Sequence, residues 1–229
     1  MSYRKESDVY APYGDFTPLD CQEMLTATRR LGRRDFSEGK NKMVAWICSN
    51  CRDDVGRLEY ASKLARYIKV DIFGKCGKLN CSKGTYTRLS NDCKLKLKQY
   101  KFYLAFENSR CVDYITEKYW EVGLENELVP VVMGGADYSL VAIPGSYINV
   151  DDFDSVEKLA EYLTYLNTNH TAYNEYFKWK RMFKLDTPFM YGCALCTALQ
   201  TSKVNKRKVY SSLHRFWKQD TCKGKLVVP

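Results

Sequence analysis

The residues best placed to do chemistry lie in the stretch "FENSRCVDYITEK", Phe106 to Lys118. An apolar run ends at Phe106, and Glu107, Asn108, Ser109 and Arg110 form a polar knot behind it. A helix is expected from Asp113, a good N-cap, to about Asn126. Glu117 then falls near the positive helix end and is favoured there, whereas Lys118 in the same turn is not. Two readings of Lys118 stand. In one it is a surface lysine paired with Glu121 or Glu125. In the other an anion lies between its ammonium and the helix end, and a nucleotide pyrophosphate is the anion that fits. Arg57 poses the same choice, a solvated arginine or a phosphate clamp at the start of another predicted helix. Gly134-Gly135 reads as a close backbone approach or as a plain turn.

The elements that position these residues follow a repeating order. "KMVAWICS" (Lys42 to Ser49) reads as a strand buried on both faces. Leu58, Ala61, Leu64, Ala65 and Ile68 then keep helical spacing, and "VDIFG" (Val70 to Gly74) is a second strand. Tyr100 to Phe106, Val129 to Met133 and Ser146 to Val150 are further strands. A helix capped by Asp154 or Ser155 carries Leu159, Tyr162, Leu163 and Leu166, and another is expected over about Thr171 to Phe183. Strands alternating with helices predict a doubly wound parallel sheet, whose ligands sit beyond the carboxyl ends of the strands. Three loops point there: Ser49 to Gly56, Glu107 to Asp113 and Gly134 to Tyr138. The expected division is an edge and linker over 1–41, the α/β domain over 42–186 and a cysteine-containing basic tail over 187–229.

Composition limits the rest. The chain has 229 residues, ample for a core, and a net charge of +9. That charge reads as a solvated basic surface or as a match to a negative partner. The dense clusters Arg29 to Arg34 and Lys203 to Lys208 lack interleaved aromatic residues, so no nucleic acid partner is expected. No run approaches a membrane span, and no signal peptide opens the chain. There are ten cysteines, including C-x-x-C pairs at Cys48/Cys51 and Cys193/Cys196. Disulfides are expected over a zinc site. The sequons at Asn80 and Asn169 suit the same secretory compartment. A lumenal chain without leader or anchor leads to the expectation that the protein's true amino terminus lies upstream. There is no dinucleotide fingerprint and no P-loop. His170 and His214 lack triad company. Asp151-Asp152 reads as preceding a helix, and no metal site is assigned.

At this point a resemblance covers nearly the whole chain. "YKFYLAFENS…DYITEKYW" followed by "VPVVMG" is similar to the donor-binding signature of the α1,3-fucosyltransferases, glycosyltransferase family ten. "SYRKESDVYAPYG" resembles that family's "SYRxDSDxxxPYG". "VAWICSNC…GRLEYASKL…VDIFGKCG" resembles its next block, in the form seen in invertebrate enzymes acting on the N-glycan core. "YINVDDFDSVEKLAEYLTYL", "YNEYFKWK" and "CALC" are similar to its later segments. The resemblance implies a GT-B fold of two Rossmann-like domains. It implies inverting transfer of L-fucose from GDP-fucose to a GlcNAc hydroxyl in α1,3 linkage on N-glycans of glycoproteins, without a required cofactor. Carried over by position, Arg57 and Lys118 would hold the pyrophosphate, Glu117 would bind the nucleoside sugar, and Asn108 and Tyr114 would complete the donor pocket. The family's general-base carboxylate, most acceptor contacts and its membrane anchor precede the segment where the resemblance starts. The chain is therefore expected to be the donor-binding half of a Golgi-lumenal type II protein. No catalytic residue is assigned to Glu6, Asp8 or Asp15. The alternatives are a GDP-sugar-binding module inactive by itself, or an enzyme of the same fold using another nucleotide sugar.

Overall fold

The computed structural model describes residues 1–81, 89–186, 191–201, 209–217, 222–226 and 228. In chain order the elements are β1 (Asp15–Pro18), α1 (Cys21–Leu31), β2 (Lys42–Ile47), α2 (Arg57–Leu64), β3 (Val70–Phe73), α3 (Asn91–Leu97), β4 (Tyr100–Phe106) and β5 (Arg110–Cys111). A π-helix (Lys118–Leu124), β6 (Val129–Met133), α4 (Tyr138–Val141), β7 (Ile148–Asn149), α5 (Val156–Thr168) and α6 (His170–Glu175) follow. Last come β8 (Phe183–Asp186), α7 (Tyr191–Gln200), α8 (Leu213–Trp217) and β9 (Cys222–Lys223). Ser82 of one sequon, part of the cysteine-bearing loop and the basic cluster Lys203 to Lys208 lie outside the described residues.

Five strands form one parallel sheet in the order β3-β2-β4-β6-β7. All of β4 is buried, Lys101 included, as its largely apolar sequence predicts for a central parallel strand. Its side chains alternate between two cores. Phe102, Leu104 and Phe106 pack with α2, α5 and α6, while Tyr103 and Ala105 pack with α3 and the π-helix. Each fully buried Phe or Leu contributes roughly 1.5–3 kcal/mol, so the two layers hold the sheet from both sides. This is the doubly wound α/β architecture expected. Ser155 caps α5, accepting from the Lys158 amide at 3.2 Å.

Four expectations change. The helix does not start at Asp113, which takes a left-handed φ of 59°. Helical structure begins only at Glu117 and runs as a π-helix. Glu107 has captured the Thr116 amide and hydroxyl, so the segment Tyr114 to Thr116 stays outside the helix. The helix over Thr171 to Phe183 is broken into α6, a 3-10 turn (Lys178–Arg181) and β8, because β8 pairs antiparallel with β1. The strand at Ser146 to Val150 is reduced to Ile148–Asn149, and Asp151-Asp152 falls in a 3-10 turn before α5. The segment 187–229, read only as a cysteine-containing basic tail, supplies β9, paired with β5. Both α1, closed by an Asp20–Glu23 capping box, and α3, capped by Ser90, were unexpected.

Disulfides join Cys51–Cys76, Cys81–Cys93 and Cys111–Cys222. Neither C-x-x-C pair closes on itself. Cys48 is a buried thiol, and Cys193 and Cys196 are exposed on α7.

Candidate functional site

The carboxyl edge of the sheet gathers the loops after β2, β4 and β6. A Cβ on Gly135 would lie 2.1 Å from the Arg110 carbonyl carbon and oxygen. Only glycine lets the β6 loop meet the β4 loop backbone to backbone. Between the two readings of the Gly134-Gly135 pair, close approach is the one realised, and its partner is the chain itself.

Arg57 opens α2, and adjacency of β2 and β4 brings it to the β4 loop. Its side chain is buried. One terminal nitrogen donates to the Asn108 amide oxygen, and the other donates to the Asn50 carbonyl at 2.6 Å. Its buried Nε–H has no acceptor among the described residues. The helix end below it is already occupied, because the Asp53 carboxylate accepts the Leu58 and Glu59 amides at 3.0 and 3.2 Å.

Lys118 bonds to the residue before Asn108. Its ammonium donates to the Thr116 hydroxyl at 2.7 Å, to Glu107 at 3.0 Å and to Glu117 at 3.3 Å. The surface pairing with Glu121 or Glu125 is thus replaced by a buried one. Burial pushes the ammonium pKa down, but Glu107, Glu117 and Tyr114 outweigh it and hold the group above its ordinary value. The Glu107 side chain is 1% exposed. Burial raises its carboxyl pKa against the opposing pull of Lys118 and of the Thr116 hydrogen bonds. Glu117 is half exposed at the mouth. Tyr114 packs at 5.0 Å from the Tyr3 ring and 6.2 Å from Tyr13, so the segment before β1 forms one wall. Burial, then Glu107, pushes its phenol up. Burial raises the Cys48 thiol, against the pull of Arg57 and Lys118.

The structure therefore ties Arg57 to Asn108 and Lys118 to Glu117, with Tyr114 beside the second pair. Glu107, Thr116 and Cys48 were not singled out as site residues. Glu107 carried a signal, an acid directly after the apolar run Phe102 to Phe106, where an unpaired charge is costly. Thr116 and Cys48 carried none. Among the described residues no cluster of His, Cys, Asp or Glu has the grouping of a metal site. The site presents the buried Arg57, a largely buried Lys118, one spare guanidinium N–H, an exposed carboxylate and an aromatic wall. Such a set can hold a diphosphate with a polar group beside it.

The edge around this site also carries a strap from the far end of the chain. The Cys111–Cys222 bond and the β5–β9 pairing fasten it to the β4 loop. The Leu226 amide donates to the Val55 carbonyl at 3.2 Å, Lys63 donates to the Val228 carbonyl at 2.7 Å, and Val228 is buried in the core. Gly56, at φ 85°, has the Leu226 carbonyl oxygen 2.9 Å from where a Cβ would stand.

Comparison with known proteins points one way. The family profile "Glycosyltransferase family 10 (fucosyltransferase) C-term" matches residues 37–217. Glycoprotein 3-alpha-L-fucosyltransferase A of Drosophila melanogaster is 40% identical over 224 residues, covering 95% of this chain and 42% of that protein. Alpha-(1,3)-fucosyltransferase fut-1 of Caenorhabditis elegans is 31% identical over 234 residues, 97% of this chain and 52% of its own length. The chain spans about half the length of the relatives it matches. A crystal structure of an α1,3-fucosyltransferase with GDP-fucose superposes with a TM-score of 0.55 at 20% identity, over 83% of this chain and 54% of that one. That likeness establishes the shared fold.

Proposed function

The chain belongs to glycosyltransferase family 10, the fucosyltransferases, and on that footing we propose that its carboxyl-edge site binds GDP-fucose. The observation that carries this reading is that Arg57 and Lys118 bond to the neighbouring residues Asn108 and Glu107 at the end of β4, with an Arg57 N–H still unspent. In the proposed complex Arg57 and Lys118 hold the diphosphate, and Asn108 fixes the guanidinium. Glu117 accepts from the nucleoside sugar, and Tyr114 closes the pocket. Support for the donor comes from the solved relative bearing GDP-fucose and from the likeness to the Drosophila glycoprotein 3-alpha-L-fucosyltransferase A.

The reaction proposed for the whole protein is transfer of L-fucose to a GlcNAc hydroxyl on glycoprotein N-glycans. The acceptor oxygen attacks the anomeric carbon from the face opposite the diphosphate, and the C1–O bond to GDP breaks, inverting the centre. The electron pair leaves with the diphosphate, where two cations in a water-poor site stabilise it. The acceptor proton goes to a base supplied from outside this chain. The cellular setting proposed is the Golgi lumen, in keeping with the three disulfides.

Calorimetry with GDP tests the donor role. Lys118→Ala and Arg57→Ala should each weaken binding by about tenfold or more, the worth of one charge-assisted hydrogen bond. Equal affinity in the wild type and both variants, with melting curves showing folded protein, would overturn it. The chain's span of about half its relatives favours a second reading, a donor-binding half inactive alone. Transfer of labelled fucose by the isolated chain would reject that reading.

A further inference from the structure

We infer that Glu107 is the positioning residue of this site: with the Thr116 hydroxyl, it holds the Lys118 ammonium charged and aimed before any diphosphate arrives. The inference rests on the GDP reading above and adds a residue to it. Three bonds define the arrangement. The Thr116 hydroxyl accepts from Lys118 at 2.7 Å and donates to Glu107 at 2.8 Å, while Lys118 donates directly to Glu107 at 3.0 Å. The Thr116 amide adds a fourth bond to the same carboxylate at 2.8 Å. Glu107 thus fixes both the loop that returns to the site and the cation mounted on it.

The third ammonium N–H is the one free to change partner. It reaches Glu117 at 3.3 Å, the longest of the three contacts, and Glu117 is half exposed while Glu107 is not. A diphosphate oxygen takes that N–H with the inner two bonds intact, and the displaced Glu117 carboxylate turns to the nucleoside sugar. The incoming anion meets a cation that needs neither proton nor rotamer search, which lowers the cost of binding.

The groups facing Lys118 set the alternative state. They are Glu107 and Tyr103 from β4 and its end, Tyr114 and Thr116 from the loop, Glu117 on its own helix, and Cys48 beyond β2. Among the carboxylates only Glu107 is buried with the lysine. Without its charge, burial acts on the ammonium with only Glu117 and Tyr114 opposing, and the empty site sheds its proton as pH rises.

Glu107→Gln therefore supplies the test, since glutamine keeps an acceptor for Thr116 and loses the charge. Calorimetric GDP affinity of the variant should fall as pH rises from 7 to 9.5, approaching about tenfold per pH unit, with uptake of about one proton on binding at the upper end. The wild type should stay flat over that range. Parallel profiles for the two would overturn the inference, because a merely structural role lowers affinity equally at every pH. Thr116→Val gives an independent arm. It should weaken GDP several-fold with no slope in pH, and unchanged affinity there also overturns the inference. Lys118→Ala separates the levels. If it leaves GDP binding intact, the donor-site reading itself fails; if it abolishes binding while Glu107→Gln tracks the wild type, only the positioning role fails.

Discussion

Glu107 and Glu127 flank the same pair of parallel strands at opposite ends, and each gathers cations. Glu107 follows β4 at the carboxyl edge; Glu127 precedes β6 at the amino edge. Glu127 accepts a two-pronged contact from Arg34 at 2.6 and 3.0 Å and another from Lys180 at 3.4 Å. Burial pushes its pKa up, but Lys180 and Arg34 overcome that and hold it below the ordinary value. At Glu107 the same contest ends the other way, with a carboxyl that stays raised beside Lys118. The side chains are 28% and 1% exposed, so water makes the difference. A carboxylate that water helps to charge forms a stable surface clasp. One that depends on a single cation keeps that cation tightly defined, which suits a site. The amino edge does have space, a cavity of about 670 Å³ between α1, Trp179 and β8, but none of the site residues lines it.

The contrast can be broken by removing each acid in turn. Glu107→Ala leaves a buried lysine without its main partner and should cost about 3–5 kcal/mol in equilibrium denaturation. A loss no larger than that at Glu127 would erase the distinction. Next comes the strap at the carboxyl edge. Replacing Cys111 and Cys222 together by serine should cost about 2–4 kcal/mol, given the long loop the bond closes. It should also weaken GDP, since the strap presses on the turn that presents Arg57. Unchanged GDP affinity would detach the strap from the site. The smallest effect is at the amino edge, where Glu127→Gln should cost at most about 1 kcal/mol. Its sign with pH is defined: a depressed acid contributes stability above its unfolded pKa and loses it as pH falls through the folded one. The gap between wild type and Glu127→Gln should therefore close below about pH 4, as read by urea denaturation across pH.

Much of this was legible before any coordinates. β4 and β6 run over the predicted residues because near-continuous apolar stretches mark strands buried in a parallel sheet. Ser155 capped its helix as local chemistry dictates. Asp113 did not, although its type invites it. Its carboxylate accepts the Lys5 amide at 3.1 Å, and Glu107 serves the amide that a cap would have served. Tertiary partners overrode a local preference. The segment before Lys42 looked featureless, yet Asp20 and Glu23 carried a capping signal for α1. The contact between Arg57 and Asn108 spans 51 positions, and only strand adjacency joins them. The Glu107–Thr116–Lys118 set was hidden for a different reason. Its spacing matches no helical or strand period, because the chain leaves both there.

The strap also imposes an order in time. Cys222 is made 111 residues after the cysteine it bonds. At ribosomal speeds of roughly 5–20 residues per second, that delay is roughly 5–20 s. During it Lys118, β6 and β7 are made and the sheet is completed, while Cys111 waits as an open thiol and Val228 has not entered the core. The carboxyl-edge site is thus among the last parts of the molecule to be finished, and an oxidant must reach Cys111 after its strands exist but before the wrong cysteine does.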